Sequence, residues 1–419
     1  MERTNHAFSA GSGSPAAAPA ALRGRGAVTN VRHRFEQTER VPADDGWSGA
    51  WMVAGEQSDV ADADAAAGVI PVVSETRRTT VAPEQARKLL SRNDSPDIPF
   101  DVAVNPYRGC EHGCVYCYAR PTHAYLGYSP GLDFETRLVA KTNAVDVLRA
   151  ELARPGYRVS PINIGSATDV YQPIERQWQL TQGVLELMLQ TRHPATIVTK
   201  NALIERDLEL LRRLAAQQLV TVYISVTTLD VEMARTLEPR ASAPWRRIQA
   251  IRTLADAGVP VGVLVAPIIP FINDESLERI LKDAREAGAC YASYTVLRLP
   301  WEVKAVFQQW LETHFPDRAE RVLHRIEDMR HGRRNDTQFG TRMRGTGLWA
   351  NLLHQRFNLA VRKLGLNTTR PTLATHLFQA PRVDGPASGA SVAAAARRGS
   401  FRPSKFSSPS SSSAQLALF

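Results

Sequence analysis

The sequence predicts an α/β fold: a partial (β/α)6 TIM-type barrel with a helical basic C-terminal extension and disordered tails. Two observations carry this. From about residue 95 to 300, six short β-branched, apolar runs alternate with stretches whose apolar residues recur at three- and four-residue spacing. Outside that region the composition shifts, to Ala, Gly, Ser and acidic residues before residue 75 and to Ser-rich low complexity after 370.

Taken in order, the runs are Phe100 to Val104, Ile162 to Ile164, Thr196 to Val198, Val220 to Val226, Val259 to Val265 and Tyr291 to Leu297. Between them Val145, Leu148 and Leu152, then Val184, Leu187 and Met188, then Leu203, Leu210, Leu211 and Leu214 mark apolar helix faces. Gly258 and Gly288 stand where left-handed helix caps are needed, and Asn273 or Asp274 can cap the helix through Leu277, Ile280 and Leu281. Strand and helix in strict alternation give parallel pairing. The expected division is 1–75 disordered extension, 76–300 barrel, 301–370 helical basic extension and 371–419 disordered tail.

In such folds chemistry sits on the loops after the strands. The first of these loops holds three of the four cysteines, Cys110, Cys114 and Cys117, in a C-x3-C-x2-C spacing, with Gly109 and Gly113 leaving the backbone free to curl. Three thiolates are one ligand short of a closed tetrahedral zinc site or a fully ligated [4Fe-4S] cluster. On a cubane cluster the missing ligand leaves one iron open to a small molecule. A zinc knuckle completed by His112, His123 or Cys290 is the alternative, within a non-catalytic nucleic-acid adaptor.

With Tyr116 directly before its third cysteine, this motif resembles the signature of the radical SAM superfamily. The resemblance implies a [4Fe-4S] cluster on Cys110, Cys114 and Cys117, S-adenosyl-L-methionine chelated by the open iron, and an external electron donor. It also implies reductive cleavage to methionine and a 5'-deoxyadenosyl radical, and the barrel fold. Within the superfamily, Asn105 to Cys110, Ala119 to His123 and the loop Thr168-Asp169-Val170-Tyr171-Gln172-Pro173-Ile174-Glu175 resemble the spore photoproduct lyase-related branch, over about Asp97 to Leu366. Tyr116, Thr168, Lys200 and Ser225 then fall at cofactor-binding positions: the Lys200 ammonium suits a carboxylate, and the two hydroxyls suit the amino group and ribose. In the lyase a cysteine of the second loop returns a hydrogen atom to the product, and here Ser166 stands in its place. A serine O–H bond is too strong for that step. Either Cys290, Tyr171 or Tyr294 donates instead, or the reaction is not spore photoproduct reversal, which is the favoured reading; Cys290 is otherwise expected to be a small buried residue.

From Arg330 to Arg370 nine basic residues face a single acid, Asp336, a surplus close to the whole chain's +9. Arg333, Arg334, Arg342 and Arg344 flank a glycine-rich stretch suited to phosphate contacts. The chain ends in Gln415-Leu416-Ala417-Leu418-Phe419 after a serine leash. Gln415, Leu416, Leu418 and Phe419 resemble the peptide by which bacterial polymerases and repair enzymes dock on the DNA polymerase sliding clamp. The expected substrate is DNA, with damaged bases foremost; RNA, a peptide or a small molecule is the alternative. No run of 18 apolar residues and no signal-peptide pattern is present, and the cysteines fit a reducing compartment, so a cytoplasmic, non-membrane protein is expected.

Overall fold

The computed structural model describes residues 21–36 and 78–382. Ten strands run in the order β1 (Thr80–Glu84), β2 (Leu90–Arg92), β3 (Val102–Val104), β4 (Tyr107–Arg108), β5 (Arg137–Lys141), β6 (Ile162–Ile164), β7 (Ala195–Thr199), β8 (Val220–Ser225), β9 (Val261–Ile268) and β10 (Tyr291–Val296). The main sheet has the order β10-β9-β8-β7-β6-β3-β2. Its first six strands are parallel, and each lies within or overlaps one of the six apolar runs; β2 closes the far edge antiparallel to β3.

Helices make the crossovers. The first two are α1 (Asp133–Thr136) and α2 (Ala144–Leu152), followed by α3 (Glu175–Trp178), α4 (Leu180–Thr191), α5 (Leu208–Ala215), α6 (Val231–Leu237), α7 (Pro244–Asp256) and α8 (Leu277–Glu286). After the sheet come α9 (Val303–His314), α10 (Pro316–Asp328) and α11 (Gly347–Leu364). In α8 the buried residues are Leu277, Ile280, Leu281 and Ala284, one helical stripe pressed on the sheet. The core between the layers includes Ile162, Ile197, Val222 and Val263 from the strands and Leu148, Val184, Leu211 and Leu254 from the helices, all wholly buried. Gly258 and Gly288 take the left-handed conformation expected of them. Asn273 and Asp274 do not cap α8: Asn273 bridges the Thr227 and Pro267 carbonyls and the Ile269 N–H, and Asp274 accepts from Phe271.

A second sheet, ordered β1-β5-β4, braces the start of the cysteine loop. Two of its strands escape pattern reading, β4 because it has two residues and β1 because it is mostly exposed and contains Pro83.

Both expected tail boundaries need correction. Residues 21–36, assigned by composition to a disordered extension, pack on the domain: Ala27, Val28 and Val31 are buried, and Ala27 and Val31 share a cluster with Leu132 and Val306. Residues 371–382 are also tied down, through Ala374 N–H to the Gln218 carbonyl (2.9 Å), Gln379 N–H to the Thr191 carbonyl (2.8 Å) and Phe378 against Tyr157 and His193. These attachments rest on backbone hydrogen bonds and single side chains, which leave no periodic signal. Residues 37–77 and 383–419, with the proposed clamp peptide, lie outside the described residues. No helix among the described residues is long and apolar enough to cross a membrane.

Candidate metal and cofactor site

The parallel strands bring their following loops to one edge of the sheet. The cysteine loop leaves β4 through Gly109, whose φ is +73°; a Cβ there would fall 2.7 Å from Leu138 and 2.9 Å from the Phe134 carbonyl oxygen. Only glycine fits both the turn and the space. The Cys110 N–H donates to the Phe134 carbonyl (2.9 Å), the Val115 N–H to the Leu237 carbonyl (3.1 Å), and the Cys117 N–H back to the Cys114 carbonyl (3.2 Å). Beneath the loop lies Arg120, wholly buried. Its guanidinium donates to the carbonyls of Gly113 (3.0 Å), Cys114 (2.8 Å), Pro130 (3.0 Å) and Gly131 (2.9 Å) and pairs with the buried Glu135. Two contacts of this cation thus fix the backbone that carries the thiols, two hold Pro130 and Gly131, and one meets Glu135.

Cys110 and Cys114 are buried and Cys117 half-buried. Burial pushes all three thiols up, Cys114 to about 12. Cys110 is raised further by the charges of Asp169, Cys114 and Cys117, so the sulfurs lie within each other's field. Three thiolates so placed repel unless a strongly positive group joins them, and a cluster that spreads its ligands over separate irons fits that donor set. Among the described residues no three His, Cys, Asp or Glu side chains group around a single ion. The side chains named to complete a zinc knuckle are placed as follows. His112 Nε2 meets Asn201 Nδ2 (3.0 Å), His123 Nε2 meets the Arg137 carbonyl (3.0 Å), and Cys290 is exposed at the opposite end of the sheet.

The neighbouring loops supply polar groups. Burial pulls the Lys200 ammonium down, but the charges of Cys114 and Glu238 outweigh it and hold the amine above its ordinary value. Its Nζ stands 5.9 Å from the centre of the Tyr116 ring. The Tyr116 hydroxyl donates to Glu238, which also accepts from Thr227 and pairs with the buried Arg247. Arg247 in turn holds the Ser225 carbonyl (3.1 Å). Thr168 is buried and its hydroxyl has no partner among the described residues, an open valence at a predicted cofactor position. The Ser225 hydroxyl is committed to the Ala266 carbonyl (3.3 Å).

Asp169 joins three loops. It accepts from the Thr199 hydroxyl (2.7 Å), the Lys200 N–H (2.7 Å) and the Tyr171 N–H (2.9 Å), and its Oδ2 stands 3.3 Å from His112 Nδ1. Burial raises its carboxyl, but the neighbouring His112 and these hydrogen bonds prevail and bring it down to about 2. Since the Asn201 carbonyl oxygen accepts from the Leu203 N–H and the Ser242 hydroxyl, its amide nitrogen donates to His112 Nε2. His112 therefore carries its proton on Nδ1, near Asp169 but outside hydrogen-bond geometry.

The hydrogen-donor candidates fare differently. Cys290 precedes β10, at the far end of the sheet from the cysteine loop, and is exposed rather than buried. Tyr171 is wholly buried with its hydroxyl in the field of Asp207 and Arg206 6.0 Å from its ring. Tyr294 points outward to His354 (3.1 Å) and Phe357. Of the three, Cys290 stands at the end of the sheet opposite the cysteine loop. Sequence reasoning passed over Tyr118, whose hydroxyl donates to the Ser166 carbonyl; the Ser166 hydroxyl itself accepts from Asn105 (3.0 Å). Arg120, Glu135, Glu238 and Arg247 were also missed, since a buried charge pair carries no motif.

The basic segment does not present one face. Arg342 is buried in a two-pronged pair with Asp97 (2.7 and 2.5 Å), correcting its reading as a nucleic-acid contact, and Arg334 is held by Glu327 and Gln308. Arg333 and Arg344 are exposed.

Comparison with known proteins adds the following. Residues 104–284 match the Radical SAM superfamily. An uncharacterized protein of Mycobacterium tuberculosis is 38% identical over 226 residues, 54% of this chain and 66% of that protein's length. One from Methanocaldococcus jannaschii is 25% identical over 248 residues, 59% of this chain and 88% of that protein. Among solved structures, spore photoproduct lyase complexed with dinucleoside spore photoproduct superposes with a TM-score of 0.50 at 17% identity, over 68% of this chain and 80% of that one, a likeness of fold. Residues 104–284, with the three cysteines on the first loop of the parallel sheet, are thus similar to the Radical SAM superfamily, a family of enzymes, and the match leaves the reaction open.

Proposed function

We propose that this chain is a radical S-adenosylmethionine enzyme acting on DNA, with damaged bases as its substrate. The observation that carries the reading is the meeting of three buried or half-buried cysteines with the charged Lys200 and the unpartnered Thr168 hydroxyl at one edge of a parallel sheet. On this reading Cys110, Cys114 and Cys117 hold a [4Fe-4S] cluster within a partial (β/α)6 barrel. Lys200 receives the methionine carboxylate and Thr168 a polar group of the cofactor. Cluster and cofactor together supply a reducing electron and a carbon radical able to abstract hydrogen. The residues of this chain orient and desolvate: Glu238 and Arg247 fix Tyr116 under Lys200, and Asp169 ties the second and third loops to His112. The electron comes from an external donor.

DNA is favoured by the chain's basic balance and by the C-terminal peptide, proposed to dock on the sliding clamp. The internal pairing of Arg334 and Arg342 favours a second reading with the same chemistry on RNA, a peptide or a small molecule. The deciding experiment is anaerobic: reconstitute the cluster, add dithionite and S-adenosylmethionine, and quantify 5'-deoxyadenosine with and without ultraviolet-irradiated DNA. Production that rises with damaged DNA supports the first reading. Production indifferent to DNA supports the second, and none with verified cluster and reductant overturns both.

A further inference from the structure

Arg298 lies on the loop that follows β10, at the same edge of the sheet as the cysteine loop. It is half-buried, and its buried Nε has no hydrogen-bond partner among the described residues. Its one side-chain hydrogen bond among the described residues goes to the Met343 sulfur at 3.7 Å, a weak acceptor. A guanidinium has five donors in a planar fork, and leaving them unmatched in a half-buried place is costly. The neighbouring arginines are provided for. Arg342 is neutralised by Asp97, and Arg330 is held by the Leu297 (2.6 Å) and Arg342 (3.0 Å) carbonyls with the charge of Asp336 in reach. Against Arg298, Arg330 and Arg342 stand Asp97 and Asp336, so one positive charge is left over, at Arg298. Burial and the charges of Arg342 and Arg330 depress its guanidinium to about 10. The Tyr118 hydroxyl, one residue beyond Cys117, lies in the same field.

We propose that Arg298 is the anchor for a phosphate group of the substrate, set beside the cysteine loop. A phosphodiester carries one negative charge and the paired oxygens that the fork matches, and it would compensate the surplus. The inference rests on the proposed action on DNA, since it names the group by which that substrate is held. The Arg298 site differs from the basic segment expected from sequence: one underbonded arginine at the reacting edge instead of a spread of surface charge.

The test compares Arg298→Gln and Arg298→Lys with the wild-type chain, each reconstituted and matched for iron content and circular dichroism. Binding of short single-stranded and duplex oligonucleotides is read by fluorescence anisotropy over a range of salt. Arg298→Gln should bind about tenfold more weakly, as expected for losing one charge-assisted contact. Its salt dependence should fall by the equivalent of about one phosphate. Arg298→Lys should keep the salt dependence and lose part of the affinity. Unchanged affinity and salt dependence in the Gln variant overturn the proposal. Should the wild-type chain bind neither oligonucleotide, the DNA reading fails, and inorganic phosphate decides the anchor. A rise in the wild-type unfolding temperature with phosphate, absent with sodium chloride of equal ionic strength and absent in Arg298→Gln, keeps the anchor for another phosphate-bearing substrate. An equal rise with acetate, or no rise, overturns it.

Discussion

Glu135 and Arg120 form a wholly buried ion pair beneath the cysteine loop, and the remaining oxygen valence of that carboxylate faces residues 21–36. Glu135 accepts from the Gly26 (3.0 Å) and Ala27 (2.8 Å) N–H groups, while Arg120 holds the carbonyls of Gly113 and Cys114. One pair therefore couples the N-terminal strap to the backbone of the candidate cluster site. The strap continues to Arg34, paired with Glu302 and placed over the rings of Phe35, Tyr125 and Trp301.

Glu135→Gln should destabilise the chain by about 3–5 kcal/mol, because it leaves the Arg120 charge buried without its partner. Thermal unfolding checks the magnitude. The strap should also become cleavable near residues 21–36 before the domain unfolds, seen as an early N-terminal cut in limited proteolysis.

Gly26→Ala tests the strap without touching a charge. A Cβ at this position would stand 1.8 Å from the Gly113 carbonyl oxygen, backbone against backbone, so the two segments must part. The expected result is early cleavage of the strap as with Glu135→Gln, together with faster loss of iron from the reconstituted protein in air. Proteolysis and iron retention equal to wild type would show that the strap does not brace the loop.

The parallel sheet was legible because its strands are mainly β-branched and apolar and are separated by helices with a buried stripe, as Ile162–Ile164 and α8 show. The cysteines were legible through spacing. What surrounds them was not. Arg120, Glu135, Glu238 and Arg247 are charged residues whose burial depends on partners 15 or fewer residues away in sequence, with spacings that repeat nowhere. Arg342 misled for the same reason: on a glycine-rich basic stretch it reads as a surface cation, and only Asp97, far earlier in the chain, reveals the pair. Cys290 misled because small cysteines favour interiors, whereas this one stands at the exposed start of its strand.

Cys114→Ala should abolish cluster iron and S-adenosylmethionine cleavage together, since two thiolates cannot hold the cluster the site is proposed to bind. Iron and sulfide content, the electron paramagnetic resonance signal of the reduced protein and 5'-deoxyadenosine are the readouts. Lys200, whose charge Cys114 supports, gives the contrast. Lys200→Ala should retain iron while weakening cofactor binding.

Phe419→Ala should abolish retention on immobilised sliding clamp and leave cofactor cleavage at the wild-type level. Retention equal to wild type would remove the C-terminal peptide from the functional account.

Acid should weaken the fold in a defined window. His123 and His193 are both pulled down to about 4, in each case chiefly by burial. His123 Nε2 donates to the Arg137 carbonyl, which fixes the neutral tautomer, and its buried Nδ1 has no partner for a second proton. His193 meets the Pro194 carbonyl through Nδ1 and the Tyr157 hydroxyl through Nε2. Between pH 6.5 and 4 the unfolded chain binds protons at these two rings and the folded chain does not. Stability is therefore full above pH 6.5 and declines as pH falls towards 4, by on the order of 3 kcal/mol for each ring. Urea midpoints measured at pH 7.0, 6.0, 5.0 and 4.5 should fall steadily, and His193→Gln, itself less stable at pH 7, should show a shallower decline. Because His123 lies 3.0 Å from where a Cβ on Gly109 would stand, its protonation should loosen the base of the cysteine loop. Iron loss should then set in near pH 4, where the folded chain takes up that proton.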